Sequence, residues 1–449
     1  MKFYKNYLLG TLTVILAFNY MDRIALGIVL QDIKIDLHLS DTQLGFLSGI
    51  AFALFYSVLG VPIARWADRG NRVTIILLSV SLWSLAVALV GVAGSFVQLM
   101  LIRVVVGVGE SGCVPASLSL IATYFTRDER PRAVSVYMQG ISASLLIGYF
   151  AAGWLDEIFG WRLMFAMIGL PGLALAVLVG RTIRDSPQSA ADFTTTPSSH
   201  QSLMEVCLFL RKNLTFRHLL YSLAVNWFFT YGTLQWAPAF FVRSFGLKTG
   251  ELGSWLAVIY GAMYMLGTYL GGEWVTRRAL RNERGQLRAM AIVTSISGVL
   301  GALVYVPSMA PNYYLAFIWL GLSMLTGAAV SGPQFAMIQA LVPARMQAVT
   351  IAIVYLFGNL IGMGLGPWAA GALSDALRPW FADASLRYAL LLLCPGIVWS
   401  AWHFWAAGKT VARDIARVHG IANDHPQRGA AMRQPDQALF ALPHQNDRS

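Results

Sequence analysis

A helix of about 20 apolar residues is long enough to cross the roughly 30 Å hydrocarbon core of a bilayer, and this chain contains twelve such runs. They fall near 7–30, 43–64, 74–95, 97–125, 133–154, 163–181, 218–241, 252–275, 288–307, 312–341, 347–371 and 386–407. In lipid every backbone N–H and C=O must be satisfied within the protein, which leaves helices or a closed barrel, and runs of this length are helices. The composition agrees. The 449 residues are 57% hydrophobic and 12% charged, where soluble domains carry about 25% charged residues. The expected fold is therefore an all-α membrane protein.

Lys and Arg are distributed unevenly between the two sides. With the N-terminus placed in the cytoplasm, 22 of the 33 basic residues flank one set of loops and 6 the other, while Arg23 and Arg103 lie within the runs. The positive-inside rule then puts both termini in the cytoplasm. The net charge of +11 is spread in short clusters between apolar runs and forms no continuous basic face, so nucleic acid is not an expected partner. Cys113, Cys207 and Cys394 are far apart, and the seven histidines show no ligand spacing. Neither a disulfide framework nor a metal site is expected. The first run lacks a small-residue cleavage site and reads as a mature helix.

A polar interval from Arg184 to Arg217 includes Thr194–Ser199 and a short amphipathic piece around Leu203–Leu210, and it reads as a linker. It divides the chain into a six-helix bundle at 1–183, a cytoplasmic linker at 184–216 and a second six-helix bundle at 217–408. The tail at 409–449 is polar without periodicity and reads as disordered. The halves echo one another: Gly148-Tyr-Phe-Ala-Ala-Gly153 is matched by Gly366-Pro-Trp-Ala-Ala-Gly371, and Arg130-Pro-Arg-Ala-Val-Ser135 by Arg345-Met-Gln-Ala-Val-Thr350. Parallel repeats with a site at their interface are a carrier architecture.

Two stretches place charge deep in apolar runs: Asn19-Tyr20-Met21-Asp22-Arg23, and Arg103 through Gly107 and Gly109 to Glu110. An ionised group there costs about 2.5–3.5 kcal/mol on insertion scales and marks a candidate functional site. At 1.5 Å per residue Asp22 and Arg103 reach similar depths, with Glu110 deeper on the face it shares with Arg103. In such a setting burial favours the protonated form of a carboxyl and a nearby guanidinium the ionised one, so opening one side of a cavity changes its protonation. Asp22 and Glu110 are thus the candidate proton-coupling pair, with Arg103 and Arg23 as cations for a carboxylate or an anionic substrate. The competing reading is a buried ion-pair set that only joins helices.

The two halves, Asp68-Arg69-x-x-Arg72 between runs 2 and 3, and Arg103-x-x-x-Gly107-x-Gly109 on run 4 resemble the major facilitator superfamily. Within it, Asn19-Tyr-Met-Asp22-Arg23, Gly107-Val-Gly-Glu110-Ser and Thr123-Tyr-Phe-Thr-Arg-Asp-Glu-Arg-Pro-Arg132 are similar to the spinster-type lipid transporters in a compact bacterial form. The resemblance implies a cytoplasmic gate in which Asp68 meets the start of helix 11 while Arg72 reaches Asp128 or Glu129, with Arg69 beside them. Ala64 replaces the usual opening glycine, and Thr276 the acid of the second copy. A solvated turn is the plainer alternative.

The second half carries almost no buried charge, yet it is rich in aromatics, among them Trp227, Tyr231, Tyr260 and Tyr264. A cavity with charge on one wall and aromatics on the other suits an amphipathic substrate with an anionic or zwitterionic head. The expectation is a proton-coupled, alternating-access lipid carrier in a bacterial inner membrane. It would act as a monomer on a small amphipathic substrate and protons, without a cofactor or enzymatic activity. The alternatives are a proton-coupled symporter of small organic anions such as sugar acids and a non-transporting receptor.

Overall fold

The computed structural model describes residues 2–126, 128–185, 203–274, 282–343 and 346–418, and within them the side chains of Asp68 and Arg69 lie outside the described set. Helices joined by short turns make up the described chain. Among the described residues, eight helical stretches are long and apolar enough to cross a membrane. Two of them, Arg130–Thr182 and Val349–Ala407, at 53 and 59 residues, each hold two passes. Leu214–Phe245 and the composite helix from Thr249 to Trp274 supply two more, giving the twelve-pass arrangement expected from the sequence.

The passes are α1 (Lys2–Ile28, continued by Leu30–Leu37), α2 (Asp41–Ser48 and Ile50–Arg69), α3 (Arg72–Val90) and α4 (Phe96–Glu110 and Cys113–Tyr124). Arg130–Thr182 divides at Gly160, whose φ of 77° suits a residue without a side chain, into α5 (130–159) and α6 (161–182). The second bundle has α7 (Leu214–Phe245), α8 (Thr249–Leu256, Ala257–Met263, Tyr264–Trp274), α9 (Glu283–Leu303) and α10 (Tyr313–Ala340). It closes with α11 (Gln347–Phe357, Gly358–Leu365, Gly366–Phe381) and α12 (Ser385–Leu393, Pro395–Ala407). Within α8 and α11 the stretches Ala257–Met263 and Gly358–Leu365 wind as wide π-helical turns.

The turn chemistry explains where the passes begin. Ser40 and Gln43 form a reciprocal capping box at the start of α2, and Asn71, Ser95, Asn213, Asn282 and Asn312 each accept the backbone N–H three residues on. These are the side chains that satisfy orphan amide donors at a helix start. Glycines give close contacts inside each bundle: a Cβ on Gly140 would strike the Thr13 carbonyl of α1, and ones on Gly267 and Gly271 the carbonyls of Leu325 and Ala329 of α10.

Both termini of the helical chain and the linker helix Leu203–Lys212 lie at one face, called here the linker face. The other is the distal face. The buried core is continuous through the first bundle and the distal part of the second, whereas Val206, Leu219, Leu287, Met337 and Phe404 form a separate core in the second bundle toward the linker face. The halves are therefore fused distally and parted at the linker face, and the space between them holds the site.

Candidate functional site

Asp22 and Arg23 are neighbours on α1, so their side chains point about 100° apart and find different partners on α4. Arg103 Nη1 donates to Asp22 Oδ2 at 2.8 Å, and Arg103 Nε to the Leu47 carbonyl of α2 at 3.4 Å. Arg23 Nε donates to Glu110 Oε2 at 3.1 Å, and its Nη2 meets the same oxygen. Arg23 is caged by Tyr20, Phe52 and Tyr56, whose ring centroids lie 4.4, 4.5 and 4.9 Å from its Cζ. It reaches across to α11, where Nη1 lies 3.8 Å from Met363 Sδ. The four charges thus form two pairs with no net charge, which is how ionised groups persist away from water.

A cavity of about 390 Å³ opens against this cluster. Arg23, Arg103, Tyr20 and Phe52 line it from the first bundle, and Trp227, Tyr231, Tyr260 and Tyr264 from the second. The four aromatics picked out from the sequence therefore share one wall. Asp22 and Glu110 do not line it. They are 1% and 0% exposed and stand behind the two guanidinium groups. Asp22 Oδ1 and Glu110 Oε1 meet no donor among the described residues, and the two carboxyls interact directly with each other. On the opposite wall the Tyr260 hydroxyl is also buried without a partner.

The linker-face turn is only partly described. Arg72 Nη1 lies 3.4 Å from Asp185 Oδ1 and 3.2 Å from Thr123 Oγ1, and the Arg72 backbone N–H donates to Asp185 Oδ2 at 2.7 Å. Glu129 accepts from Lys5 Nζ at 2.8 Å, and this ammonium holds its carboxyl below the ordinary range. Asp128 is exposed. The expected contacts of Asp68 and Arg69, like Thr276 and Arg345, fall outside the described residues.

A second charged cluster, unanticipated from the sequence, closes the distal face. Asp41, 2% exposed at the start of α2, accepts Lys34 at 2.6 Å, Arg243 of α7 at 2.7 and 2.8 Å, and Ser374 of α11 at 2.7 Å. Asp375 of α11 accepts the backbone N–H of Asp41 at 3.2 Å and of Thr42 at 2.7 Å, together with the Thr42 hydroxyl at 2.7 Å. A residue of one half therefore caps a helix of the other. Glycine permits the approach, since a Cβ on Gly45 would strike the Pro367 carbonyl and one on Gly371 that of Asp41. The sequence signal was the acid at the first turn of α2; α11 runs ten residues past its expected end at 371, which hid Asp375.

The model of the Major Facilitator Superfamily matches residues 12–367. The chain belongs to the major facilitator superfamily. It is thus a multi-pass integral membrane transporter for small substrates. Among curated superfamily relatives it is 30% identical to an "MFS-type efflux pump" of Mycolicibacterium smegmatis, over 90% of this chain and 93% of that protein. It is 26% identical to Protein spinster homolog 1 of Xenopus tropicalis, over 89% and 80%, and 26% identical to a hexuronate transporter of Bacillus subtilis, over 80% and 85%. A crystal structure of a bacterial homologue of the human lysosomal transporter Spinster, inward-facing and unoccupied, superposes with a TM-score of 0.81 at 28% identity, covering 92% of this chain and 99% of that one. The spinster resemblance of the sequence motifs thus extends to the whole fold.

Proposed function

We propose that the protein is a proton-coupled, alternating-access carrier of amphipathic lipids with an anionic or zwitterionic head, of the lysophospholipid or sphingolipid kind. The observation that carries this reading is the layering of the site, with two guanidinium groups on the cavity wall, two carboxyls directly behind them and an aromatic wall opposite. An anionic head bound by Arg23 or Arg103 competes with the carboxylate that now holds that guanidinium. The displaced carboxylate, in a low-dielectric setting without its partner, takes a proton. A proton shared between Asp22 Oδ1 and Glu110 Oε1 would also satisfy both unpartnered oxygens. Trp227, Tyr231, Tyr260 and Tyr264 receive the apolar part, with the Tyr260 hydroxyl as a free polar handle.

The two halves, 1–183 and 217–408, would rock about this site, with the turn at Asp68, Arg69 and Arg72 and the nearby Asp128 and Glu129 gating the linker face. The basic bias of the loops supports a cytoplasmic linker face in a bacterial inner membrane. The experiment is Asp22→Asn and Glu110→Gln in proteoliposomes carrying a labelled lysophospholipid. Uptake driven by a pH gradient is lost in both while the protein stays folded, and full uptake in both refutes the assignment. A second reading, symport of small organic anions, is favoured by the hexuronate transporter among the relatives and by the same two arginines. Thermal stabilisation by glucuronate but not by lysophospholipid would select it.

A further inference from the structure

Among the described residues of the first bundle, six of the buried polar atoms without a hydrogen-bond partner lie close together: both side-chain atoms of Asn19, Asp22 Oδ1, Glu110 Oε1, Ser117 Oγ and Tyr137 Oη. Asn19, Ser117 and Tyr137 are each 0% exposed, as is Cys113. Buried polar groups are almost always partnered, and each unmet one is costly. Here they are in sequence along one seam. Asn19 lies one turn nearer the linker face than Asp22 on α1. Cys113 and Ser117 lie three and seven residues beyond Glu110 on α4, on the same side and nearer the same face. Cys113 neighbours Glu110 and Ser117, and Tyr137 of α5 neighbours Ser117 and Cys113. Tyr137 is about 10 Å from the linker-face start of α5 at Arg130, at 1.5 Å rise per residue. None of Asn19, Cys113, Ser117 and Tyr137 lines the cavity.

We propose that this seam between α1, α4 and α5 is hydrated and carries protons between the linker face and the Asp22–Glu110 pair, apart from the route taken by substrate. The Ser117 hydroxyl interacts with the side chains of both Tyr137 and Cys113, yet neither it nor the Tyr137 hydroxyl reaches a full hydrogen bond, a spacing that a bridging water completes, and an amide with both ends unmet offers such a water a donor and an acceptor. Each hydroxyl or water accepts one proton and passes on another, so nothing accumulates along the seam. The charged and titratable groups around its inner end are Arg23, Arg103, Tyr20 and Tyr56. The two arginines sit between the carboxyls and the cavity, so a proton arriving through the seam reaches the pair without crossing the bound substrate head. Asn19, Ser117 and Tyr137 are positioning residues here, and the inference rests on the proton-coupled reading of the site.

The test uses Ser117→Ala combined with Tyr137→Phe, which delete only hydroxyl groups, beside Asp22→Asn as reference. In proteoliposomes with a tail-labelled lysophosphatidylethanolamine, uptake driven by a pH gradient falls about a hundredfold in the double variant, the lower end of a general acid–base contribution. Exchange of the probe against itself without a gradient stays at the wild-type rate, which a merely structural defect would not allow. A readout independent of substrate is the infrared carboxyl band of the purified protein moved into heavy water, whose exchange slows in the double variant. Unchanged gradient-driven uptake in the double variant while Asp22→Asn abolishes it overturns the seam and leaves the proposed function standing, as does an unchanged rate of carboxyl exchange. Retention of gradient-driven uptake by Asp22→Asn is a different result, which removes the proton-coupled reading and the seam with it.

Discussion

Asp375→Ala tests the distal closure directly. The carboxylate accepts two backbone N–H groups and one hydroxyl from the first turn of α2, at 3.2, 2.7 and 2.7 Å, across the interface between the halves. A side-chain cap at a helix start contributes about 1 kcal/mol, up to about 2, and a negative charge at the positive end of the helix adds about 0.3–1 kcal/mol. Together they contribute about 2 kcal/mol, and only in the state whose distal face is shut. At 1.4 kcal/mol per factor of ten, removal moves the equilibrium between distally closed and open forms about 25-fold toward open. Spin labels at Val92 and Met309, both exposed at the distal face in opposite halves, report it by pulsed dipolar spectroscopy as growth of a longer-distance population. Thr42→Val, which removes only the hydroxyl contact, shifts the populations less. A distance distribution that Asp375→Ala leaves unaltered refutes the view that this cap holds the halves together.

Gly371→Leu places a side chain against the Asp41 carbonyl; the prediction is a folded protein that cannot close distally, seen as lost transport with the Val92–Met309 distance fixed long. Arg103→Ala leaves Asp22 buried and unpaired, a loss of about 3–5 kcal/mol; the melting temperature drops, and combining it with Asp22→Asn restores most of the drop. Asp414 accepts the Thr215 N–H at 3.0 Å and hydroxyl at 2.8 Å. Burial pushes its carboxyl up, but Thr215 and Arg413 outweigh burial and leave it below the ordinary carboxylate range. The resulting stability is full above the unfolded value near 3.9 and is lost as pH falls through the lower folded value, so amide protection over 411–418 weakens in acid, and Asp414→Ala removes that dependence.

The passes were legible because each is a long apolar run, and the charges of α1 and α4 stood out because they interrupt such runs. Their ends were less so. α1 continues to Leu37 because Leu30 and Ile33 are buried, and a bilayer-length window stops short of that packing. Which arginine meets which carboxyl depends on the rotation of α1 against α4, and neighbouring residues Asp22 and Arg23 give no hint of it. The aromatic cage of Arg23 uses Phe52 and Tyr56, four apart on α2 and indistinguishable in sequence from packing residues. Asp41 and Asp375 are 334 positions apart, and each alone reads as an ordinary charge near a turn.

The wide turns of α8 and α11 have a mechanical consequence. Each sits at the level of the cavity, with Tyr260 in one and Met363 in the other. On the distal side the same helices are clamped to the first bundle, where a Cβ on Gly253 would strike the Tyr149 carbonyl and one on Gly371 that of Asp41. A π turn spends an extra residue on each revolution and so supplies slack where the backbone ladder is weakest. Under the proposed carrier function, the segments beyond it are the ones free to bend inward over a cargo while the clamped ends stay put, which would assign the first stage of occlusion to two hinged struts, ahead of any rotation of the bundles as bodies.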